Sequence, residues 1–192
     1  MIIINEKNPN PAIALLKAGG VIICPAFTIY GFSAFLFSKA ANKRIFLLKR
    51  RSINKPFIVI AHKDFILDVA FEADKDKLAF LLDNGFSVLI KTKIKLPHWA
   101  SFSSKTVFRL ANTEFLKKVC SVGPITSTSV NISNSGEINS PLQIVKLYKN
   151  RVNGIVLGKV KGVGSTIVEL NRGVITVLRR GFNIEKLEVI GG

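Results

Sequence analysis

Cysteine and histidine are almost missing from this chain, with two of each in 192 residues. Cys24, Cys120, His62 and His98 stand far apart, without metal-ligand spacing and without the pattern of a disulfide framework. Both thiols read as buried, the usual place for free cysteine. Acidic residues are scarce as well: 12 Asp and Glu face 28 Lys and Arg. No two carboxylates are placed for paired acid–base work, and no Ser-His-Asp arrangement is legible. Long apolar runs are absent too. The longest, Val21-Ile22-Ile23-Cys24, Phe57-Ile58-Val59-Ile60-Ala61 and Ala79-Phe80-Leu81-Leu82, fall far short of the roughly 20 residues a membrane-spanning helix needs. Met1-Ile2-Ile3-Ile4-Asn5-Glu6 lacks the basic start and longer apolar core of a secretory leader. These absences predict a cytoplasmic protein without membrane contact and without a protein-held metal.

What remains is an apolar, strongly basic chain. Hydrophobic residues make up 48% of it, which excludes disorder. The net charge of +16 attracts polyanions and speeds their encounter, so nucleic acid or nucleotide phosphates are the natural partners. The plainer reading of that charge is a compositional bias toward Lys, Ile and Asn.

Patterning predicts helices over 8–19 (Asn10 as cap, Pro11 in the first turn), 40–50, 63–67, 74–83, 114–120 and 140–148, the last capped by Ser140 with Pro141 at its first position. Strands are predicted over 21–25, 57–61, 86–91, 106–110, 125–128, 154–157, 165–170 and 174–178, with Asn171-Arg172-Gly173 as a hairpin turn. The Ser- and Lys-rich stretch 96–105 reads as mobile. Strands that alternate with helices and end in a hairpin predict one α/β domain over 1–192 with a mixed sheet.

Short polar clusters sit at the ends of these apolar runs, where α/β proteins gather binding groups. Lys49, Arg51 and Lys55 lie within seven residues, and point charges and rigid forks both suit phosphate oxygens. Their alternative is a helix C-terminus complementing its dipole. In Ser127-Thr128-Ser129-Val130-Asn131 an extended backbone turns Ser127, Ser129 and Asn131 to one side, ready for phosphate, ribose or an amino-acid head group; a solvated polar turn is the other reading. Gly164-Ser165-Thr166 follows a glycine-rich loop that has neither the Lys nor the spacing of a phosphate-binding Walker loop. Arg109 stands inside the apolar strand Val107-Phe108-Arg109-Leu110 and needs a partner, either a bound carboxylate or a buried Asp or Glu. A site of this kind binds anions and stabilises charge without a strong side-chain base.

In this order the clusters resemble the YrdC-like threonylcarbamoyl-AMP synthase family. The resemblance runs from about Ala12 to Gly181. It rests on Pro25-Ala26-Phe27-Thr28-Ile29-Tyr30-Gly31, Lys49-Arg50-Arg51 with Lys55-Pro56, Arg109, Thr128-Ser129-Val130-Asn131-Ile132-Ser133, Gly164-Ser165-Thr166 and Arg179-Arg180-Gly181. It implies a twisted mixed sheet flanked by helices, with a basic concave face. It also implies an enzyme that converts L-threonine, bicarbonate (or CO2) and ATP with Mg2+ into threonylcarbamoyl-AMP and pyrophosphate, for tRNA modification by partner proteins. By the same resemblance Lys49, Arg51, Lys55, Ser129, Asn131 and Arg179 hold ATP, with Lys49 and Arg51 acting on the reacting phosphates. Thr28, Arg109, Ser127 and Ser165 hold threonine, its carboxylate on Arg109.

The chain departs from the family pattern in several places. Ala26 and Phe27 replace a Thr and an acidic residue, Asn84-Gly85-Phe86-Ser87 is one residue short of a Pro-Gly-Pro-x-Thr segment, and Val130 replaces Ala. Two residues are inserted near Asn134-Ser135. Ile60 takes the place of a His that some members carry, with His62 two residues on. The chain ends near Gly192, which predicts that the extra C-terminal domain of longer members is absent. Two other readings compete: a basic module for tRNA or double-stranded RNA with weak or lost activity, and a carbamoyl-transfer relative with another acceptor.

Overall fold

A computed structural model describes residues 1–131 and 136–187; Ile132, Ser133, Asn134 and Ser135, and with them part of the polar motif and the insertion, lie outside. In chain order the elements are β1 (Ile2–Asn5), α1 (Asn10–Lys17), β2 (Ile22–Pro25), β3 (Tyr30–Phe35), α2 (Lys39–Lys49), β4 (Ile58–Ala61), α3 (Lys63–Val69), α4 (Lys75–Asp83), β5 (Ser87–Lys91), β6 (Ser101–Phe102), β7 (Lys105–Leu110), α5 (Glu114–Cys120), β8 (Ile125–Ser129), α6 (Pro141–Tyr148), β9 (Gly154–Leu157), β10 (Ile167–Asn171) and β11 (Val174–Arg179), with a 3-10 turn at Ile184–Leu187. The strands form one mixed sheet in the order β1-β9-β2-β3-β8-β4-β7-β5-β10-β11, and β6 pairs with β7. Among the described residues no helix is long and apolar enough to cross a membrane.

The period of two along each strand builds a core on both faces. Val21 and Ile23 join Phe32, Val59, Val88, Phe108 and Val168 on one face, beneath α2, α3, α4 and α6. Ile22, Cys24, Ile60, Ala111 and Ile125 join residues of α1 and α5 on the other. The second cover is partial. The same parity that brings Ile60, Ala111 and Ile125 under α1 and α5 carries on to Ile58, Arg109 and Ser127, which line an open cleft instead. The site is thus the uncovered end of one sheet face.

Local chemistry sets the element ends. Asp74, Thr113 and Ser140 accept from the backbone N–H of Lys77, Leu116 and Gln143 and start α4, α5 and α6. Asn10 does not cap α1: Pro9 takes that place and Asn10 is the first helical residue. Arg172 and Gly173 both have positive φ, 51° and 77°, and close the β10–β11 hairpin as a two-residue turn.

Three strands were not anticipated. β1 pairs in parallel with β9, β3 joins β2 to β8, and the short β6 pairs with β7. The 96–105 stretch is also ordered. Trp99 Nε1 donates to Leu36 O at 2.7 Å, the Trp99 carbonyl accepts from Phe57 N at 2.7 Å, and β6 folds back on β7. Its Ser and Lys side chains coat a segment that Leu96, Trp99 and Ala100 hold in the core.

Candidate functional site

Arg109 organises the cleft. It projects from β7 into the protein with 3% of its surface exposed. Its Nε donates to Ser87 Oγ at 3.0 Å, and Nη1 donates to Ala26 O and Thr28 Oγ1, both at 2.9 Å. Nη2 donates to Ser165 Oγ, which also lies 2.8 Å from Ser87 Oγ. The partners are three hydroxyls and one carbonyl from three segments: the β2–β3 loop, the start of β5 and the segment before β10. The buried Asp or Glu that the sequence left open is not found on Arg109 among the described residues. Five N–H donors meet four acceptors, and the guanidinium borders open space. Burial, with Arg179 nearby, pushes its pKa down to about 10 while Glu137 pulls the other way; it stays charged at neutral pH.

The cleft, about 180 Å³, is lined by Arg51, Arg109, Ser127, Ser129, Glu137 and Arg179, together with Ala26, Gly31, Phe57, Ile58 and neighbouring residues. Ser127 and Ser129 sit two apart on β8, opposite Ser33 and Gly31 of β3. Thr126, between these serines and Ile125, points to the other face and bonds Asn42 of α2. Gly31 is required by close approach: a Cβ there would stand 2.5 Å from Ser127 Oγ. Arg51 Nε and Nη2 donate to the carbonyls of Lys55 and Pro56, and its guanidinium lies 5.7 Å from the Phe57 ring centroid. These contacts aim the fork into the cleft. Burial lowers its pKa.

Not every expected residue lines this space. Thr28 and Ser165 are fully buried, with their hydroxyls committed to Arg109. They orient the guanidinium from behind. Lys49 comes from α2, on the opposite face, and meets the tip of β8. Its ammonium donates to Ser129 O and to both oxygens of Asn131, and lies 5.8 Å from the Phe32 ring. Burial and the Arg51 charge depress its pKa to about 8. Asn131 Oδ1 also accepts from Ser129 Oγ at 3.1 Å. Lys55 is exposed and outside the lining, with its carbonyl rather than its ammonium engaged with Arg51. Ile60 is fully buried in the core, and His62 lies 2.9 Å from Lys117 O, away from the cleft.

Two residues went unread in the sequence. Ser87 enters a buried strand after Phe86 and looks like any strand-initiating serine until its hydroxyl meets Arg109. Glu137 follows the Ser127–Asn131 cluster by six positions; its only signal was a carboxylate in a chain poor in them.

The Gly164-Ser165-Thr166 and Arg179-Arg180-Gly181 segments are joined side by side. Phe182 N donates to Gly164 O at 2.8 Å, Gly181 N to Thr166 Oγ1 at 3.0 Å, and Arg179 Nη2 to Ser165 O at 2.7 Å. A Cβ on Gly181 would lie 2.2 Å from Gly164 O and 2.8 Å from Ser165 C. Backbone cannot swing aside as a side chain can. Gly181→Ala is therefore expected to cost about 1–3 kcal/mol of stability, checked by the urea midpoint. An unchanged midpoint contradicts the packing.

A larger hollow, about 480 Å³, lies at the β10–β11 hairpin, lined by Phe71, Glu72, Asp74, Lys91 and Arg172 among others. Its Glu72 carboxylate accepts from the backbone N–H of Ala73, Asp74 and Arg172. That is loop bracing, and the convergent polar groups are in the smaller cleft.

The family model Sua5/YciO/YrdC, described as telomere recombination, matches residues 14–181. A protein of Stutzerimonas stutzeri named threonylcarbamoyl-AMP synthase is 27% identical over 173 residues, covering 87% of this chain and 90% of its own length. One of the same name from Coxiella burnetii is 28% identical over 156 residues, covering 78% and 84%. The crystal structure of P. abyssi Sua5 complexed with L-threonine matches 100% of this chain with a TM-score of 0.87 at 24% identity, and so shares its fold. This chain spans 61% of that longer protein.

Proposed function

We propose a function on one premise: the chain belongs to the Sua5/YciO/YrdC family. It joins L-threonine, CO2 (or bicarbonate) and ATP into threonylcarbamoyl-AMP and releases pyrophosphate, the activity for which its relatives are named. The observation that carries the reading to this chain is Arg109, a buried guanidinium with one donor more than it has acceptors, opening on a cleft that also holds Arg51 and Arg179. Fixed cations with hydroxyls between them suit a small carboxylate lying beside a polyphosphate.

Arg109 takes the threonine carboxylate, with Ser127 on the same cleft wall. Thr28, Ser87 and Ser165 hold the guanidinium in place. Arg51 and Arg179 take phosphate oxygens, and Lys49 adds charge at the β8 tip, where Ser129 and Asn131 sit. In the reaction the threonine amine, its ammonium proton lost to solvent, adds to CO2 and gives up a second proton to form a carbamate; a carbamate oxygen then attacks the α-phosphorus, and the bond from that phosphorus to the oxygen bridging it to the β-phosphate breaks. Charge moves onto pyrophosphate, which the arginines offset. Much of the acceleration comes from holding the two reactants together. Mg2+ would accompany ATP, held chiefly by the substrate phosphates with few protein ligands. The product passes to proteins that modify tRNA, and the net charge of +16 favours encounter with tRNA itself.

The test is direct. Purified protein with Mg2+·ATP and bicarbonate is expected to release pyrophosphate when L-threonine is added. No release, or release that ignores threonine, overturns the reading.

A further inference from the structure

We propose that Glu137 receives the ammonium group of the amino-acid substrate, and so makes the cleft select an α-amino acid over the corresponding acid without the amine. The inference rests on the threonine reading above and deepens it. A zwitterion whose carboxylate sits on Arg109 must place its ammonium close by, in a cleft that already contains the cations Arg51, Arg109 and Arg179. Without an anion there, that ammonium is repelled. Among the described residues Glu137 is the one acidic side chain lining the cleft.

Its position is built. Ile138 N donates to Val130 O at 2.9 Å, Asn139 Oδ1 accepts from Tyr30 N at 3.0 Å, and Asn139 Nδ2 donates to Gly162 O at 3.4 Å. These bonds tie the residues after Glu137 to the sheet and to the glycine-rich loop. The carboxylate hangs over Gly164: a Cβ placed on that glycine would lie 3.4 Å from Glu137 Oε1 and 3.2 Å from Arg179 Nη2. The next residue, Ser165, carries the hydroxyl that holds Arg109. The two groups that a zwitterion needs, a guanidinium and a carboxylate, therefore border the same short segment.

Glu137 is also uncommitted. The ion pairs among the described residues are Lys63–Asp83, Lys77–Asp74, Lys105–Glu169 and Lys117–Glu114, and Glu137 is in none of them. Its charge is nevertheless felt by Lys49, Arg109 and Arg179, each held more firmly in its protonated form by it. A carboxylate surrounded by cations but bonded to no described one is available to a ligand's cation.

The experiment compares L-threonine with 3-hydroxybutyrate, the same skeleton without the amine, by calorimetry on wild type, Glu137→Gln and Glu137→Asp. Wild type is expected to bind threonine more tightly than 3-hydroxybutyrate. Glu137→Gln is expected to weaken threonine by roughly 2- to 5-fold, what an ion pair with an exposed carboxylate is worth. It should leave 3-hydroxybutyrate and Mg2+·ATP binding unchanged, and Glu137→Asp should recover part of the loss. In turnover the KM for threonine rises and that for ATP does not. Equal weakening of both acids, an unaffected threonine affinity, or a loss confined to Mg2+·ATP overturns the inference. A wild type that binds the two acids equally also overturns it and leaves the threonine reading standing. A wild type that binds neither removes that reading and this inference with it.

Discussion

Arg109→Ala is expected to weaken L-threonine binding by roughly a hundred-fold or more, with a far smaller effect on ATP. Truncating one partner of a buried, hydrogen-bonded charge pair costs about 2–5 kcal/mol, and Arg109 is the buried partner proposed here for the substrate carboxylate. The loss has a structural side as well. Thr28 Oγ1 and Ser87 Oγ would lose the guanidinium donor, while Ala26 O keeps the Thr28 N–H at 2.8 Å and Ser165 Oγ keeps Arg179 Nη2 at 3.4 Å. Ser87 and Ser165 already lie 2.8 Å apart and can share a proton, so the expected destabilisation stays near 1–3 kcal/mol, within reach of a thermal-unfolding check that the variant is folded. Arg109→Lys keeps the charge but replaces a planar fork by a point donor. It cannot reach Ser87, Thr28 and Ser165 together and is expected not to restore threonine binding. Calorimetry with each ligand separately decides the matter; equal losses for threonine and ATP would contradict the assignment.

The second large effect is expected at Lys49 and is read against pH. Burial and Arg51 bring its pKa from an ordinary 10.5 down to about 8. Below pH 8 the ammonium is charged in both the native and the unfolded chain, and the full cost of burying that charge is present. Between pH 8 and 10.5 the unfolded chain binds more protons than the native one, so this group makes stability rise with pH. The buried thiols act in the opposite sense. Cys24 and Cys120 are pushed from 9.0 up to about 11 and about 12, so the unfolded chain loses thiol protons first and stability falls above pH 9. The Lys49 slope is therefore clearest between pH 8 and 9. Urea titrations should show it in wild type and not in Lys49→Met. The same titration governs ligand binding: ATP affinity is expected to fall as pH rises through 8, because a neutral amine no longer attracts phosphate. Lys49→Met should bind ATP roughly 10- to 100-fold more weakly at pH 7 and lose that fall. A wild-type affinity that is level from pH 7 to 9 would remove Lys49 from the phosphate site.

Most of the architecture was legible because it depends on local signals. Ser140 before Pro141 and the cluster Asn171-Arg172-Gly173 specify a cap and a hairpin by backbone chemistry alone. Val21-Ile22-Ile23-Cys24 and Phe57-Ile58-Val59-Ile60-Ala61 are apolar at every position, as central strands covered on both faces are, even though Ile58 borders the cleft. β3 escaped because Tyr30-Gly31-Phe32-Ser33-Ala34-Phe35 mixes small and aromatic residues. Its Gly31 and Ser33 are small for the sake of β8 across the ladder, where Gly31 makes room for Ser127. β1 escaped because four residues pair with β9 about 150 positions away. The 96–105 stretch was misread because its polar surface residues outnumber the buried anchors Leu96, Trp99 and Ala100.

Residue types and their order were enough to announce an α/β sheet and most of the cationic and hydroxyl clusters that meet around one cleft, since strand parity and side-chain chemistry are written position by position. How those clusters divide the work was not written there. Thr28, Ser87 and Ser165 became props for Arg109, Lys49 approached from the far face, Lys55 was left outside, and Glu137 entered the cleft, because each outcome depends on which strands lie side by side and on which end of one sheet face α1 and α5 leave bare. Those are consequences of packing between segments distant in the chain, and they exist only once it has folded.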